Sequence, residues 1–270
     1  MLKFISLGSG SSGNGYYLWT EKGGILIDAG LGYRTLRRHL QTFALPIEQM
    51  LAVFVTHDHA DHIKSVGKLA SECGKMIYAT SLVHDGIASN YCVSPRLRTE
   101  QRVIIETDVP VTVGDFTVTA FPVPHDSTDC VGFRVEACGV RFCLITDVGH
   151  VTDRIKEEVS EANYLILESN HDHEMLMAGT YPAYLKGRIS GPTGHLNNKE
   201  AGELLANSSS PVLKHVWLCH LSEENNHPEL ARKTVEGILR SYGIVPGTDF
   251  LLDVLRRKMP SEIYVLADEQ

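Results

Sequence analysis

The chain has 270 residues, 43% of them hydrophobic and 21% charged, the balance of a globular protein with a sizeable core, and that length admits one large domain or two small ones. No apolar run reaches the roughly 18 residues of a membrane helix, and the opening MLKFISLGSGSSGNG lacks the apolar stretch of a secretory signal. A net charge of −8 argues against a protein that merely coats nucleic acid, though not against an enzyme that meets phosphates through bound cations.

Strand-like runs rich in β-branched and aromatic residues follow one another: KFISLG, YYLWT, GILIDAG, LAVFVT and KMIYAT in the first part, then FTVTAFPV, GFRVEA, VRFCLIT, NYLILES, HVWLCH and FLLDVL. Helix signals lie between some of them. Residues 61–73 open on an acid and close before Gly74; residues 197–207 start on Asn197 and carry Ala201, Leu204 and Leu205 at helical spacing. Residues 227–242 have Pro228 in the first turn and stop at Gly243. Hairpin-like strands in the first part and again around 110–146 predict two similar αβ halves packed sheet to sheet, helices outside, as one domain over 1–270. The cysteines (Cys73, Cys92, Cys130, Cys138, Cys143, Cys219) are scattered with no CxxC pair, as in a reduced, cytoplasmic protein.

The stretch THDHADH follows the apolar run LAVFV. His57 and His59 are spaced to converge on one ion from a loop, with Asp61 and His62 at the start of a helix able to face a second. Imidazole nitrogens and carboxylates suit zinc, iron and manganese. Three further polar residues end apolar strands in the same way: His125 after FTVTAFPVP, Asp147 after VRFCLIT and His220 after HVWLC. The spacing alone shows only that enough ligands exist for two ions.

HxHxDH, then His, Asp and His, resembles the ligand pattern of the metallo-β-lactamase-fold hydrolases over nearly the whole chain. The resemblance implies an α/β fold, a four-layer αββα sandwich with its site at one edge of the two sheets. It also implies that His57, His59 and His125 hold one metal, Asp61, His62 and His220 a second, with Asp147 bridging. Histidine at 59, where the di-iron flavoprotein branch has glutamate, points to the hydrolytic branch. Two adjacent metals make hydroxide at neutral pH and stabilise both oxygens of a displacement, chemistry suited to phosphodiesters.

Three stretches bear on substrate. LGSGSSGNGYYL offers Ser11, Ser12 and Asn14 from a Gly-rich loop that can turn N–H groups toward an anion, although no GK[ST] follows. GPTGHLNNKEAGELL places His195 ahead of a helix start, a site suited to phosphate, and is similar to the GH motif of β-CASP nucleases. LCHLSEENNHPELA resembles the final histidine motif of tRNase Z. Together with LGSGSSGN and ESNHD…YPAYLKGRISGPTGHLNN it resembles the YycJ/WalJ group of small metallo-β-lactamase-fold proteins. The inserted domain of β-CASP nucleases has no room, since only about seventy residues separate Asp147 from His220.

What the resemblance implies is a cytoplasmic phosphodiesterase acting on DNA ends as a 5′-to-3′ exonuclease. It would use two divalent ions, zinc or manganese with iron possible, and a metal-bound hydroxide that attacks phosphorus. Asp61 and His195 are the expected catalytic residues; Ser11, Ser12, Asn14, His171 and His195 are the expected substrate contacts. The alternatives are a small-molecule metallohydrolase (lactam, thioester or cyclic nucleotide) and a non-catalytic metal-binding regulator. NHDHE, with His171 and His173, offers a further HxH; Lys186 and Arg188 are candidate phosphate contacts or a solvated face. His39, His84, His150, His215 and His227 read as structural or surface histidines, and Cys219 as buried strand.

Overall fold

A computed structural model describes residues 1–267. The first half runs β1 (Leu2–Gly8), β2 (Gly15–Thr20), β3 (Gly23–Ile27), α1 (Tyr33–Thr42), β4 (Met50–Phe54), α2 (Ala60–Ile63), α3 (Val66–Cys73), β5 (Met76–Ala79), α4 (Ser81–Ser89) and β6 (Arg102–Ile104). The second half opens with β7 (Val111–Val113), β8 (Phe116–Pro122), β9 (Val131–Ala137), β10 (Val140–Ile145), α5 (Asp153–Glu161) and β11 (Tyr164–Glu168). It continues with α6 (His173–Ala178), α7 (Ala183–Ile189), α8 (Asn198–Ser208), β12 (His215–Cys219), α9 (Pro228–Ser241), β13 (Leu251–Val254) and β14 (Tyr264–Ala267).

Two seven-stranded sheets result, ordered β14-β1-β2-β3-β4-β5-β6 and β13-β12-β11-β10-β9-β8-β7. Each joins an antiparallel half to a parallel one: β3, β4, β5 and β6 are parallel in the first sheet, and β10, β11, β12 and β13 in the second. The alternation along β4 sets the layers. Ala52 and Phe54 enter a core shared with Phe133, Phe142 and Trp217 of the other sheet, while Val53 and Val55 pack with Leu36 of α1, Leu69 of α3 and Val83 of α4. Val216 and Leu218 of β12 likewise turn outward to Ile155 of α5, Leu205 of α8 and Val235 of α9. The fold is thus a four-layer αββα sandwich. Among the described residues no helix is long and apolar enough to cross a membrane.

The helix expected over 61–73 is broken after Ile63. Ser65 gives its N–H to the Ala29 carbonyl and its hydroxyl to the Leu31 carbonyl, outside the helical ladder. The helices at 197–207 and 227–242 begin one residue later than read, with Asn197 and His227 as N-caps; Asn197 and Glu200 form a capping box. The sequence reading had no counterpart for α1, α4 and α5, nor for the short strands β6, β7 and β14.

Candidate metal centre and active site

The parallel strands of both sheets deliver their C-terminal ends to one edge, the place where open α/β sheets bind ligands. Asp28 follows β3, Thr56 and His57 follow β4, Asp147 follows β10, Glu168 ends β11 and His220 follows β12. Asp28, Asp147 and His220 hold φ of 61°, 56° and 53°, a left-handed conformation that costs a non-glycine residue about 1–2 kcal/mol. Such strain at a strand end re-aims a side chain and is concentrated at functional sites. Gly30 supports this edge by close approach: a Cβ there would lie 1.5 Å from the Asp61 carbonyl oxygen.

All seven candidate ligands converge. His57, His59 and His125 form one group whose nitrogens lie within 4.8 Å of one another; Asp61, His62 and His220 form a second; Asp147 groups with His57 and His62, and also with Glu168, His195 and His220. His125 Nε2 is 3.3 Å from His59 Nδ1, His220 Nε2 is 3.3 Å from Asp61 Oδ2, and His62 Nε2 is 3.3 Å from Asp147 Oδ2.

Each imidazole is tied by one nitrogen and offers the other inward. His59 donates from Nε2 to the Asp126 carbonyl (3.2 Å), and His125 from Nδ1 to the Gly194 carbonyl (2.9 Å). His62 donates from Nδ1 to Asp28 (2.7 Å), and His220 Nδ1 lies 3.0 Å from Glu168 Oε1. His57 donates from Nδ1 to Thr56 Oγ1 (3.0 Å), whose own proton goes to Asp28. Backbone carbonyls and carboxylates behind a histidine select its tautomer and free the other nitrogen for a cation. The Nε2 of His57 is buried without a hydrogen-bond partner among the described residues, a loss that a cation would offset. This donor set fits a divalent metal of the zinc, manganese or iron type.

Electrostatics divide the site in two. Burial, with His62 adding repulsion, pushes His57 well below the ordinary imidazole range, and burial lowers His125. On the other side burial acts the same way, but Asp147 and its neighbours overcome it. His62 is raised well above its usual value and His220 to about 10, with Asp147 the largest favourable contributor to each. Asp147 itself is held well below the carboxylate range by His220 and His62 against the opposing effect of burial.

Glu168, fully buried, was not singled out from the sequence. Its Oε1 lies 2.8 Å from His195 Nδ1 and 3.0 Å from His220 Nδ1, while Oε2 accepts from the Val148 and Leu196 amides at 2.7 and 3.1 Å. Burial opposes its charge, yet His195 and these hydrogen bonds bring its pKa down to about 2. The His195 ring sits 5.0 Å from that of His125 and 5.4 Å from that of His220, with its side chain 20% exposed. Asp28 was missed as well. Both residues end apolar runs (GILID and YLILE), the same signal that marked Asp147.

The Gly-rich loop is split in its roles. Ser11 and Ser12 are exposed at its tip, whereas Asn14 is buried, its amide 3.0 Å from His62 Nε2 and 3.4 Å from Asp61 Oδ2. Ser9, also unflagged, accepts the His220 N–H (3.0 Å). His171 is 1% exposed, neither ring nitrogen has a hydrogen-bond partner among the described residues, and burial lowers its pKa to about 4. No metal-ligand group among the described residues contains His171 or His173. Lys186 donates to the Met177 carbonyl, and Arg188 pairs with Asp126. His39 and His84 are buried against the carbonyls of Leu7 and Val103, His215 pairs with Asp253, and Cys219 is buried in β12.

A family model described as the beta-lactamase superfamily domain matches residues 24–220. The chain is 36% identical to exodeoxyribonuclease YycJ of Bacillus anthracis over 262 residues, 97% of this chain and 98% of that protein. It is 35% identical to exodeoxyribonuclease WalJ of Streptococcus pneumoniae over 248 residues, 92% of each. A solved structure, Zn(2+)-bound PqqB from Methylobacterium extorquens, shares the fold with a TM-score of 0.70 at 16% identity, over 96% of this chain and 99% of that one. The chain therefore belongs to the metallo-β-lactamase superfamily and, within it, to the group of YycJ and WalJ.

Proposed function

We propose that this metal-dependent hydrolase is a phosphodiesterase that shortens DNA from its ends in the 5′-to-3′ direction, with two divalent ions, zinc or manganese, in its site. His57, His59 and His125 would hold one ion, Asp61, His62 and His220 the other, and Asp147 both. The observation that carries this reading is the set of five imidazoles, each tied by one nitrogen to a protein acceptor and turning the other into the cluster of candidate ligands. When bound, such a pair of ions lowers the pKa of water and neutralises phosphodiester charge. The names of YycJ and WalJ as exodeoxyribonucleases support DNA as the polymer.

The chain's own groups then have distinct tasks. Asp61 orients the attacking water through a carboxylate that Asn14 and His220 hold in place. His195, whose pKa Glu168 raises against the effect of burial, gives a proton from Nε2 to the leaving oxygen. Glu168 keeps Nδ1 of His195 protonated and so leaves Nε2 directed to substrate. Ser11 and Ser12 contact phosphate at the rim, Asn14 steadies their loop, and His171 supports the segment behind His195. Burial raises the Cys130, Cys143 and Cys219 thiols well above the usual range, so none serves as a nucleophile and displacement is direct. The six free cysteines support a reducing, cytoplasmic setting for one domain spanning the chain.

The test is hydrolysis by metal-loaded protein of duplexes labelled at either end, beside a thioester and a lactam. Mononucleotides should appear at once from the 5′-labelled strand and late from the 3′-labelled strand. Release in the opposite order overturns the polarity; cleavage of the thioester or lactam alone overturns the phosphodiesterase.

A further inference from the structure

A protein of net charge −8 that works on DNA needs a local surface where the polyanion is not repelled. Helix α1 supplies one. Arg34, Arg37, Arg38 and Gln41 fall at spacings of three and four, one stripe of the helix, opposite the buried Leu36, His39 and Leu40. All three arginines are exposed, and among the described residues none has a carboxylate within ion-pair distance or a side-chain hydrogen bond. Four other arginines, by contrast, are committed: Arg141 to Glu136 and Glu161, Arg154 to Asp108 and Glu158, Arg240 to Glu236, Arg188 to Asp126.

The stripe is concave. With Tyr33, and with Lys68 and Glu72 of α3, the arginines line a cleft of about 400 Å³. Arg37 and Lys68 both stand over the Tyr33 ring, at 5.7 and 5.4 Å from its centroid, so the ring fixes two cations that would otherwise sweep freely. Among the described residues, Glu72 is the one carboxylate in the lining and lies 3.6 Å from Lys68, so that four cations face one anion.

The cleft and the metal centre share a flanking segment of chain. The segment that starts α1 also braces the site, since Ala29 donates to the His62 carbonyl and Gly30 packs on Asp61. From Asp61 the chain runs through exposed Lys64, past the break between α2 and α3, to exposed Lys68.

Resting on the nuclease reading, we propose that the cleft of Arg34, Arg37, Arg38 and Lys68 is the docking surface for the phosphate backbone of duplex DNA, holding the body of the substrate while its end lies in the metal centre. The contacts are electrostatic and carry no sequence preference.

The experiment uses the metal-loaded full chain, wild type against the quadruple variant Arg34→Gln, Arg37→Gln, Arg38→Gln, Lys68→Gln. Binding of a labelled duplex of about 30 base pairs is followed by anisotropy between about 50 and 200 mM salt, and cleavage is measured separately on that duplex and on bis(p-nitrophenyl) phosphate. The variant should bind duplex about tenfold or more weakly, with a log–log salt slope shallower by about 3 to 4. It should hydrolyse the small diester at the wild-type rate, and replacing the three arginines by lysine should restore most of the duplex binding. Unchanged duplex affinity and slope in the glutamine variant overturn the docking surface while leaving the nuclease reading intact. Duplex binding that depends on the cleft without any cleavage overturns the nuclease and leaves the surface standing. Retention on phosphatidylglycerol vesicles with no duplex binding makes the patch a membrane contact and overturns the proposal.

Discussion

Replacing Glu168 by glutamine keeps the volume of a fully buried side chain and removes one acceptor. All four groups that face the carboxylate are N–H donors: the Val148 and Leu196 amides on Oε2, and His195 Nδ1 and His220 Nδ1 on Oε1. A glutamine has one oxygen. If that oxygen takes the two amides, its NH₂ confronts both imidazoles, and each ring must move its proton to Nε2. His220 then turns an N–H toward Asp61 and the metal centre, and His195 becomes a neutral ring that is a poor acid. Hydrogen bonds to charged groups are worth about 1.5–3 kcal/mol each, so two lost imidazole contacts amount to about 3–6 kcal/mol. At about 1.4 kcal/mol per tenfold the combined loss in metal retention and turnover is about 10²- to 10⁴-fold. Glu168→Asp, which keeps the charge, should recover part of it. The assay pairs elemental analysis with single-turnover cleavage of a 5′-phosphorylated duplex, and thermal melting verifies folding. A folded Glu168→Gln protein with wild-type metal and rate would refute the reasoning.

His195→Ala should keep its metals and lose about 10²-fold or more in single-turnover rate; metal loss would make His195 a ligand, and an unchanged rate would remove it from the mechanism. Gly30→Ala must push a methyl into the Asp61 carbonyl, so we expect destabilisation of about 1–3 kcal/mol and weaker metal binding, measured by melting and by chelator competition; normal values for both would show that the loop gives way freely. The pKa of His220, opposed by burial but raised chiefly by Asp147 to about 10, means that the metal-free folded chain binds this proton more tightly than the unfolded one. Its stabilisation is full below the unfolded value of about 6.5 and fades as pH rises through about 10. A cation must displace that proton, so metal affinity should climb with pH over this window; calorimetry in buffers of different ionisation heat should detect proton release at neutral pH, and none would contradict the assignment.

The seven candidate ligands were legible in the sequence because four of them form the HxHxDH cluster after one apolar run and the other three each close a further apolar run. Asp28 and Glu168 carry the same mark, yet a strand-end acid does not say whether it faces the ion or stands behind a histidine. Only the packing of β3 beside β4 and of β11 beside β12 decides that. Asn14 showed the opposite limit: its Gly-rich context reads as an exposed anion loop, but its side chain is consumed internally by Asp61 and His62. Helix α1 escaped notice because only Leu36, His39 and Leu40 of its residues are buried, too weak a stripe against the strands around it. The break at Lys64 and Ser65 depends on hydrogen bonds to Ala29 and Leu31, which local periodicity does not contain.

We expect cleavage to depend on ions held by the converging histidines and aspartates. The most direct test strips the protein with chelator, adds manganese or zinc in measured equivalents, and follows single-turnover hydrolysis of a 5′-phosphorylated duplex. The rate should rise from background to a plateau near about two equivalents per chain, and Asp147→Ala should stay at background throughout. Full activity in the presence of chelator, or a plateau at about one equivalent with Asp147→Ala fully active, would rule out a pair of ions held by these residues as the source of cleavage.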